Sequence, residues 1–178
     1  MKQIWITSDL HFNHSNIIKH ADRPFTNVDL MNDKIITNWN NTVKKGDDVY
    51  IVGDFAFYSP ASFKSVLNGN LIFIKGNHDK PNLTRMTHCF IQYSGKHLQL
   101  VHNKSDAIDE GDYIIHGHNH NKPCVTIPVI TTEVMVNENT GWKDNMVCYN
   151  VNTELHNYAP VNIKTIIKQL ENHKRTKG

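Results

Sequence analysis

Three histidines stand at alternate positions in His116-Gly117-His118-Asn119-His120, directly after the apolar pair Ile114-Ile115. Imidazole is the commonest metal-ligating side chain, so a His-x-His pair just past a buried strand offers one edge of a metal site. On a continuing strand all three rings would share a face, because side chains alternate. Gly117 instead marks a tight turn at the strand's end. Further donors come in short sets: Asp9-Leu10-His11, Gly53-Asp54, Gly76-Asn77-His78-Asp79 and the single His102. These are oxygen and imidazole donors without a thiolate. Such a set suits Mn, Fe, Zn, Co or Ni, and disfavours a cysteine-built zinc site or Cu(I). Asp9, His11, Asp54, Asn77, His102, His118 and His120 exceed what one tetrahedral ion can use. They suit two ions that share a bridging carboxylate and a bridging water.

Each donor set follows a segment that reads as a strand. Gln3–Thr7 leads into Asp9, Asp48–Val52 into Asp54, Leu71–Ile74 into Asn77, His97–Val101 into His102, and Tyr113–Ile115 into the histidines. Between the first two strands, Val28, Met31, Ile35, Trp39 and Val43 recur at helical spacing, which predicts an amphipathic helix over 28–43 with Trp39 in the core. Thr26 and Asn27 are its N-cap candidates. Ser59-Pro60 opens a second helix, with a capping residue before proline at the first helical position. Strand, helix, strand in this compass is a βαβ unit with parallel strands and a right-handed crossover. Asp54 and Asn77 therefore emerge at one sheet edge, where open α/β sheets place their ligands. Residues 126–136 are β-branched and punctuated by proline, which predicts strands or an irregular excursion at an edge. A late strand over 146–151 and a final helix from Val161 to Leu170 complete the chain.

The totals set bounds. With 178 residues, 39% hydrophobic and 20% charged, the chain is expected to form a single domain over 1–172, with a frayed basic tail at 173–178. No apolar run of about 18 residues is present, so no membrane span is expected. Three scattered cysteines, Cys89, Cys124 and Cys148, make no disulfide framework and point to the reducing cytoplasm. A net charge of +2 gives no argument for a nucleic-acid sheath.

In order and at strand ends, the sets Asp9-Leu10-His11, Gly53-Asp54, Gly76-Asn77-His78-Asp79, His102 and Gly117-His118-Asn119-His120 resemble the five signatures of the calcineurin-like metallophosphoesterases. The resemblance spans residues 4 to 120. It implies a two-sheet β-sandwich flanked by helices, a four-layer αββα arrangement, here in a small bacterial or phage-type form without a cap domain. It implies two divalent transition metal ions, manganese first, with iron, zinc, nickel or cobalt as alternatives. Asp9, His11, Asp54 and His120 would hold one ion. Asp54, as the bridge, with Asn77, His102 and His118 would hold the other, and a bridging hydroxide would be the nucleophile. His78 would sit beside the scissile phosphate and protonate the leaving oxygen, with Asp79 orienting it. His14 and Arg23, in the loop after the first set, are candidates for holding a substrate phosphate; Arg23, just before Pro24, could equally brace the loop.

Two departures stand out. Phe55-Ala56-Phe57 follows Gly53-Asp54 where the family often has an acidic residue or asparagine, and His116 is an extra histidine, read as a support behind the ligands or as structural. The expected activity is hydrolysis of a phosphodiester or a nucleotide-like ester. The alternatives are a phosphomonoesterase, or a metal-bound protein-interaction scaffold without catalysis. A metallo-β-lactamase-type site would need His-x-His-x-Asp-His, and His120 occupies the aspartate position.

Overall fold

Three short runs of Val, Ile and aromatic residues in the first half of the chain, with one more near its end, build the first sheet. In the computed structural model, which describes residues 1–108, 111–120, 130–137 and 142–177, these are β1 (Ile4–Thr7), β2 (Asp48–Val52) and β3 (Asn70–Ile74), joined much later by β9 (Val161–Asn162). Their order is β3-β2-β1-β9, with β1, β2 and β3 parallel and β9 antiparallel to β1. The connections carry α1 (Ser15–His20), α2 (Val28–Thr42) and α3 (Pro60–Val66), and all three helices lie on one face. There Met31, Ile35 and Trp39 of α2 are fully buried with Val49 and Ile51. Asn27 caps α2 by accepting the Leu30 N–H at 2.9 Å. The expected cap of α3 differs. Ser59 has a left-handed backbone and its side chain caps nothing, and its carbonyl instead accepts from Ser62.

The second sheet has the order β4-β5-β6-β8-β7. It contains β4 (His88–Tyr93), β5 (Lys96–Val101), β6 (Tyr113–His116), β7 (Ile130–Asn137) and β8 (Trp142–Asn150). β5, β6 and β8 are parallel, while β4 and β7 are antiparallel edges. The strand expected within 126–136 is thus the edge strand β7. β4 has no counterpart in the sequence reading, because a surface strand of mixed composition gives weak alternation.

Facing side chains of the two sheets form one core. Ile6, Val52 and Ile74 meet Leu98, Leu100, Tyr113, Ile115 and Tyr149, and α4 (Ile163–Lys177) adds Ile163, Ile166 and Leu170 at their margin. Each such fully buried side chain contributes about 1.5–3 kcal/mol, enough to fix the sheets' relative register. The helix runs on to Lys177, through residues expected to fray. On the outer face of the second sheet, Val101, Ile114 and Cys148 pack with Ala107, which follows a short 3-10 turn. The result is the expected two-sheet sandwich flanked by helices.

Candidate metal centre

The C-terminal ends of β1, β2, β3, β5 and β6 converge at one edge of the sandwich, and every expected ligand leaves from there. The two sheets are stitched at that edge by the Ser8 N–H to Val151 carbonyl bond, 3.1 Å. Two carboxylates lie at the centre, each with one oxygen tied to backbone and one facing inward. Asp54 Oδ1 accepts the His78 N–H at 2.9 Å, and its Oδ2 lies 3.5 Å from both His11 Nε2 and His102 Nε2. Asp9 Oδ2 accepts the His118 N–H at 3.0 Å, and its Oδ1 faces His120 Nε2 at 3.4 Å and His11 Nε2 at 3.9 Å. Asn77 Oδ1 lies 2.9 Å from His102 Nε2 and 3.1 Å from His118 Nδ1. The seven expected donors therefore fall into two groups that meet at Asp54, His11 and His120 with Asp9 in one, and Asn77, His102 and His118 in the other.

The imidazoles are held from behind. His102 Nδ1 donates to the Val52 carbonyl at 2.9 Å, leaving Nε2 to the site. His11 Nδ1 is 3.2 Å from His14 Nδ1, so His14, stacked on Phe57 at 4.4 Å, steadies a donor at the rim. His120 Nδ1 reaches Glu154 Oε1 at 3.1 Å.

Local backbone geometry shows what this convergence costs. Asp9, His11, Asp54 and His118 have φ of +56°, +52°, +55° and +66°, each worth about 1–3 kcal/mol of strain for a non-glycine residue. Neighbouring glycines make room. A Cβ on Gly76 would collide with the Asp54 carboxylate, and one on Gly117 with Asp9 Oδ2 and Ser8 Oγ. Phe55 anchors the turn after β2 by packing edge-on against Phe12 and Phe73, at 5.5 and 5.1 Å.

Among the described residues, Asp9 Oδ1 and His11 Nε2 are buried without a hydrogen-bond partner. Burial pushes the Asp9 carboxyl up, against the lowering charges of His102 and His120. Burial likewise pushes His11 well below the ordinary histidine value, against the pull of Asp54. Both shifts come from enclosing a polar atom without a counterpart, and a cation between them would satisfy both. Burial also disfavours the charged forms of Asp54 and His102, yet here their mutual hydrogen bond and charge win. Asp54 is held down at about 2 and His102 is lifted to about 9. Asp9, His11 and His120 form one set whose donor atoms lie within 4.8 Å of one another, and Asp9, Asp54 and His102 form a second. The donor set thus fits divalent cations.

His78 is exposed above this centre, its ring centroid 5.5 Å from that of His11. Two expectations need correction. Asp79 does not orient His78: its carboxylate is buried and accepts the N–H groups of Asp54 (2.8 Å), Gly76 (2.9 Å) and Phe55 (3.0 Å). It clamps the turn after β2 to the turn after β3. Arg23 does not face substrate either. It is 4% exposed and donates to the carbonyls of Asp9 (2.6 Å) and Leu10 (3.0 Å) and to Glu154 (2.7 Å). His116 is buried, with Nδ1 against the Gly117 carbonyl.

The segment at the end of β8 adds polar groups beyond the expected donors. Asn150 donates to the Asn119 carbonyl at 3.1 Å, Asn152 Nδ2 lies 3.3 Å from His120 Nδ1, and Glu154 meets the same ring. Its signal in the sequence is positional: Asn150-Val151-Asn152-Thr153-Glu154 is a polar cluster at a strand end, like the five donor sets.

No family model matches the chain. A protein of unknown function from Aquifex aeolicus, AQ665, has the same fold, with a TM-score of 0.72 and 24% identity over 95% of this chain and 100% of that one. Chaetomium thermophilum Vps29 (TM-score 0.44, 7% identity, 84% of this chain and 70% of that one) and an archaeal phosphodiesterase (0.38, 18%, 82% and 99%) are looser likenesses. In sequence, the gene 66 protein of mycobacterium phage D29 is 31% identical over 88 residues, 46% of this chain and 43% of that protein. The uncharacterised protein MJ1445 of Methanocaldococcus jannaschii is 37% identical over 181 residues, 98% of this chain and 94% of that protein. Identity of that extent over nearly the whole of both chains places this protein in the same family as MJ1445.

Proposed function

We propose that the protein is a metal-dependent phosphoesterase of the calcineurin-like type, acting on a phosphodiester or nucleotide-like ester. The observation that carries this reading is Asp54, whose Oδ2 is 3.5 Å from a histidine of each donor group, the placement required of a carboxylate shared by two ions. Asp9, His11 and His120 would complete one ion's set, and Asn77, His102 and His118 the other's. Two such ions, manganese first in this oxygen and imidazole setting, would supply an activated water and neutralise the charge of the phosphate. The chain's own contribution is orientation. Val52 and His14 aim the rings of His102 and His11, Asp79 holds the Asp54 turn, and exposed His78 is placed to give a proton to the leaving oxygen.

Two clefts favour a diester over a monoester. One, of about 220 Å³, opens beside His102 and His118 and is lined by Lys75, Asn77, Thr87 and Asn103. The other, of about 140 Å³, is lined by Phe57, Tyr58, Lys80 and Leu83 and lies beyond Phe57, whose ring faces His14 and His78. A diester held at the centre would extend one substituent toward each. Among the described residues no helix is long and apolar enough to cross a membrane.

The test is metal loading followed by turnover. Elemental analysis of manganese-loaded protein is expected to approach two ions per chain, with bis-p-nitrophenyl phosphate cleaved faster than p-nitrophenyl phosphate. Asp54→Ala should lose both ions and His120→Ala chiefly one. A stoichiometry of one or below would overturn the dinuclear site. Faster cleavage of the monoester would make it a phosphomonoesterase, and two ions without turnover of either ester would make it a scaffold.

A further inference from the structure

The polar segment after β8 contributes a buried carboxylate that nothing above puts to use. Glu154 sits in the 3-10 turn Thr153–His156, with its side chain 4% exposed. Oε1 accepts from Arg23 Nε at 2.7 Å and from Nη2 at 2.6 Å, and it meets His120 Nδ1 at 3.1 Å. The same guanidinium donates to the carbonyls of Asp9 and Leu10. One ion pair thus joins four parts of the chain: the loop after α1, which carries Arg23, the turn after β1, the turn after β6 and the segment after β8. A buried pair of this kind has a large desolvation cost and is weak evidence for stability by itself. Its orientation toward His120 is what carries the inference.

We propose that Glu154, held by Arg23, is a positioning residue for the metal centre: it accepts a hydrogen bond from Nδ1–H of His120 and so turns Nε2 toward Asp9. This rests on the metal reading above. A histidine that binds a cation through one nitrogen generally donates the other N–H to a carboxylate or carbonyl, which fixes the tautomer and raises ligand basicity. His102 uses the Val52 carbonyl for this purpose. In the turn that carries His120, the Asn119 N–H bonds the Gly117 carbonyl and the His120 N–H bonds the His118 carbonyl, and the group that meets Nδ1 of the ring is a carboxylate from another strand end. Arg23 holds that carboxylate and at the same time pins the Asp9 turn, so two donors of one ion position, Asp9 and His120, are set by the same contact.

Removing Glu154 alone would strand a buried guanidinium, so the test uses two double variants without that charge. Arg23→Met/Glu154→Gln keeps an oxygen that accepts from His120, whereas Arg23→Met/Glu154→Leu does not. They share the loss at the Asp9 and Leu10 carbonyls. Manganese titration by calorimetry should show one of two ions bound about tenfold or more weaker in the leucine variant than in the glutamine variant, with the other ion alike in both. Equal affinities at both positions would overturn the proposal, as would equal weakening of both ions. If the unaltered protein binds no manganese, the metal reading falls and the pair is judged by the His120 ring nitrogens. At alkaline pH, nitrogen NMR should place the proton on Nδ1 in the unaltered protein and the glutamine variant, and on Nε2 in the leucine variant. A proton site that does not change sinks the positioning role.

Discussion

At residue scale, the third donor set separates chemistry from architecture within three consecutive residues. Asn77 joins the ligand cluster, His78 faces solvent above it, and Asp79 turns inward to three backbone N–H groups. Substitutions should split accordingly. Asp79→Ala leaves those buried donors without an acceptor, each costing about 1–3 kcal/mol. Urea denaturation should therefore show a loss of about 3 kcal/mol or more, with weakened metal binding because the Asp54 turn is released. His78→Asn should leave the denaturation midpoint and metal content unchanged. Its kcat on a diester with an alkoxide leaving group should fall by about 10²-fold, the ordinary worth of a general acid. The fall should be smaller with p-nitrophenolate, which needs less protonation. Equal falls on both esters would assign His78 to holding phosphate, and no fall on either would remove it from the mechanism.

At element scale, the turns that follow the parallel strands limit the site more than the strands do. The β6 turn shows why. Gly117 lies directly against Asp9 and Ser8, and backbone bonds from Gly117 to His102 and from Val151 to His116 tie it to β5 and β8. Gly117→Ala pushes a methyl group into the Asp9 carboxylate while β6 keeps its pairing. The expected outcome is a folded protein with unaltered far-ultraviolet circular dichroism that retains fewer than two manganese ions. Wild-type ion content in this variant would mean that the turn can shift without cost to the ligands.

At the scale of the whole molecule, the centre couples metal content, pH and stability, and the signs are set by the Asp54–His102 pair. His102 is lifted to about 9 from an ordinary value of 6.5. The folded state therefore binds this proton more tightly than the unfolded chain does. The stabilisation is fully present below about pH 6.5 and is lost as pH rises through about 9. Asp54, held at about 2, is the other half of the same interaction. Its share is present above the ordinary carboxylate range and disappears as pH falls toward 2. A divalent ion must displace the His102 proton, so metal affinity moves the opposite way and rises between pH 6.5 and 9. Thermal denaturation of chelator-treated protein should show stability declining over that interval relative to His102→Gln, while manganese-loaded protein gains over the same interval. Parallel pH profiles for the chelator-treated protein and the variant would show that the pair does not form.

The donors, their order and their placement at strand ends are legible in the chain itself, because each set follows a run of apolar residues whose length and β-branching specify a strand. The amphipathic helix over 28–42 is legible for a similar reason, since Val28, Met31, Ile35 and Trp39 repeat with helical period. Local sequence holds less about what lies behind the donors. Arg23 and Asp79 have the residue types expected of a phosphate clamp and a catalytic dyad, and both types also serve as buried braces. Only the direction of the side chain decides between these roles, and that direction depends on neighbours 131 residues away for Arg23 and Glu154, and 25 for Asp79 and Asp54. The contribution of Glu154 is similarly non-local. Periodicity reports which face of an element is buried, whereas the meeting of β1, β6 and β8 at one edge is a property of sheet order, which the tertiary structure alone determines.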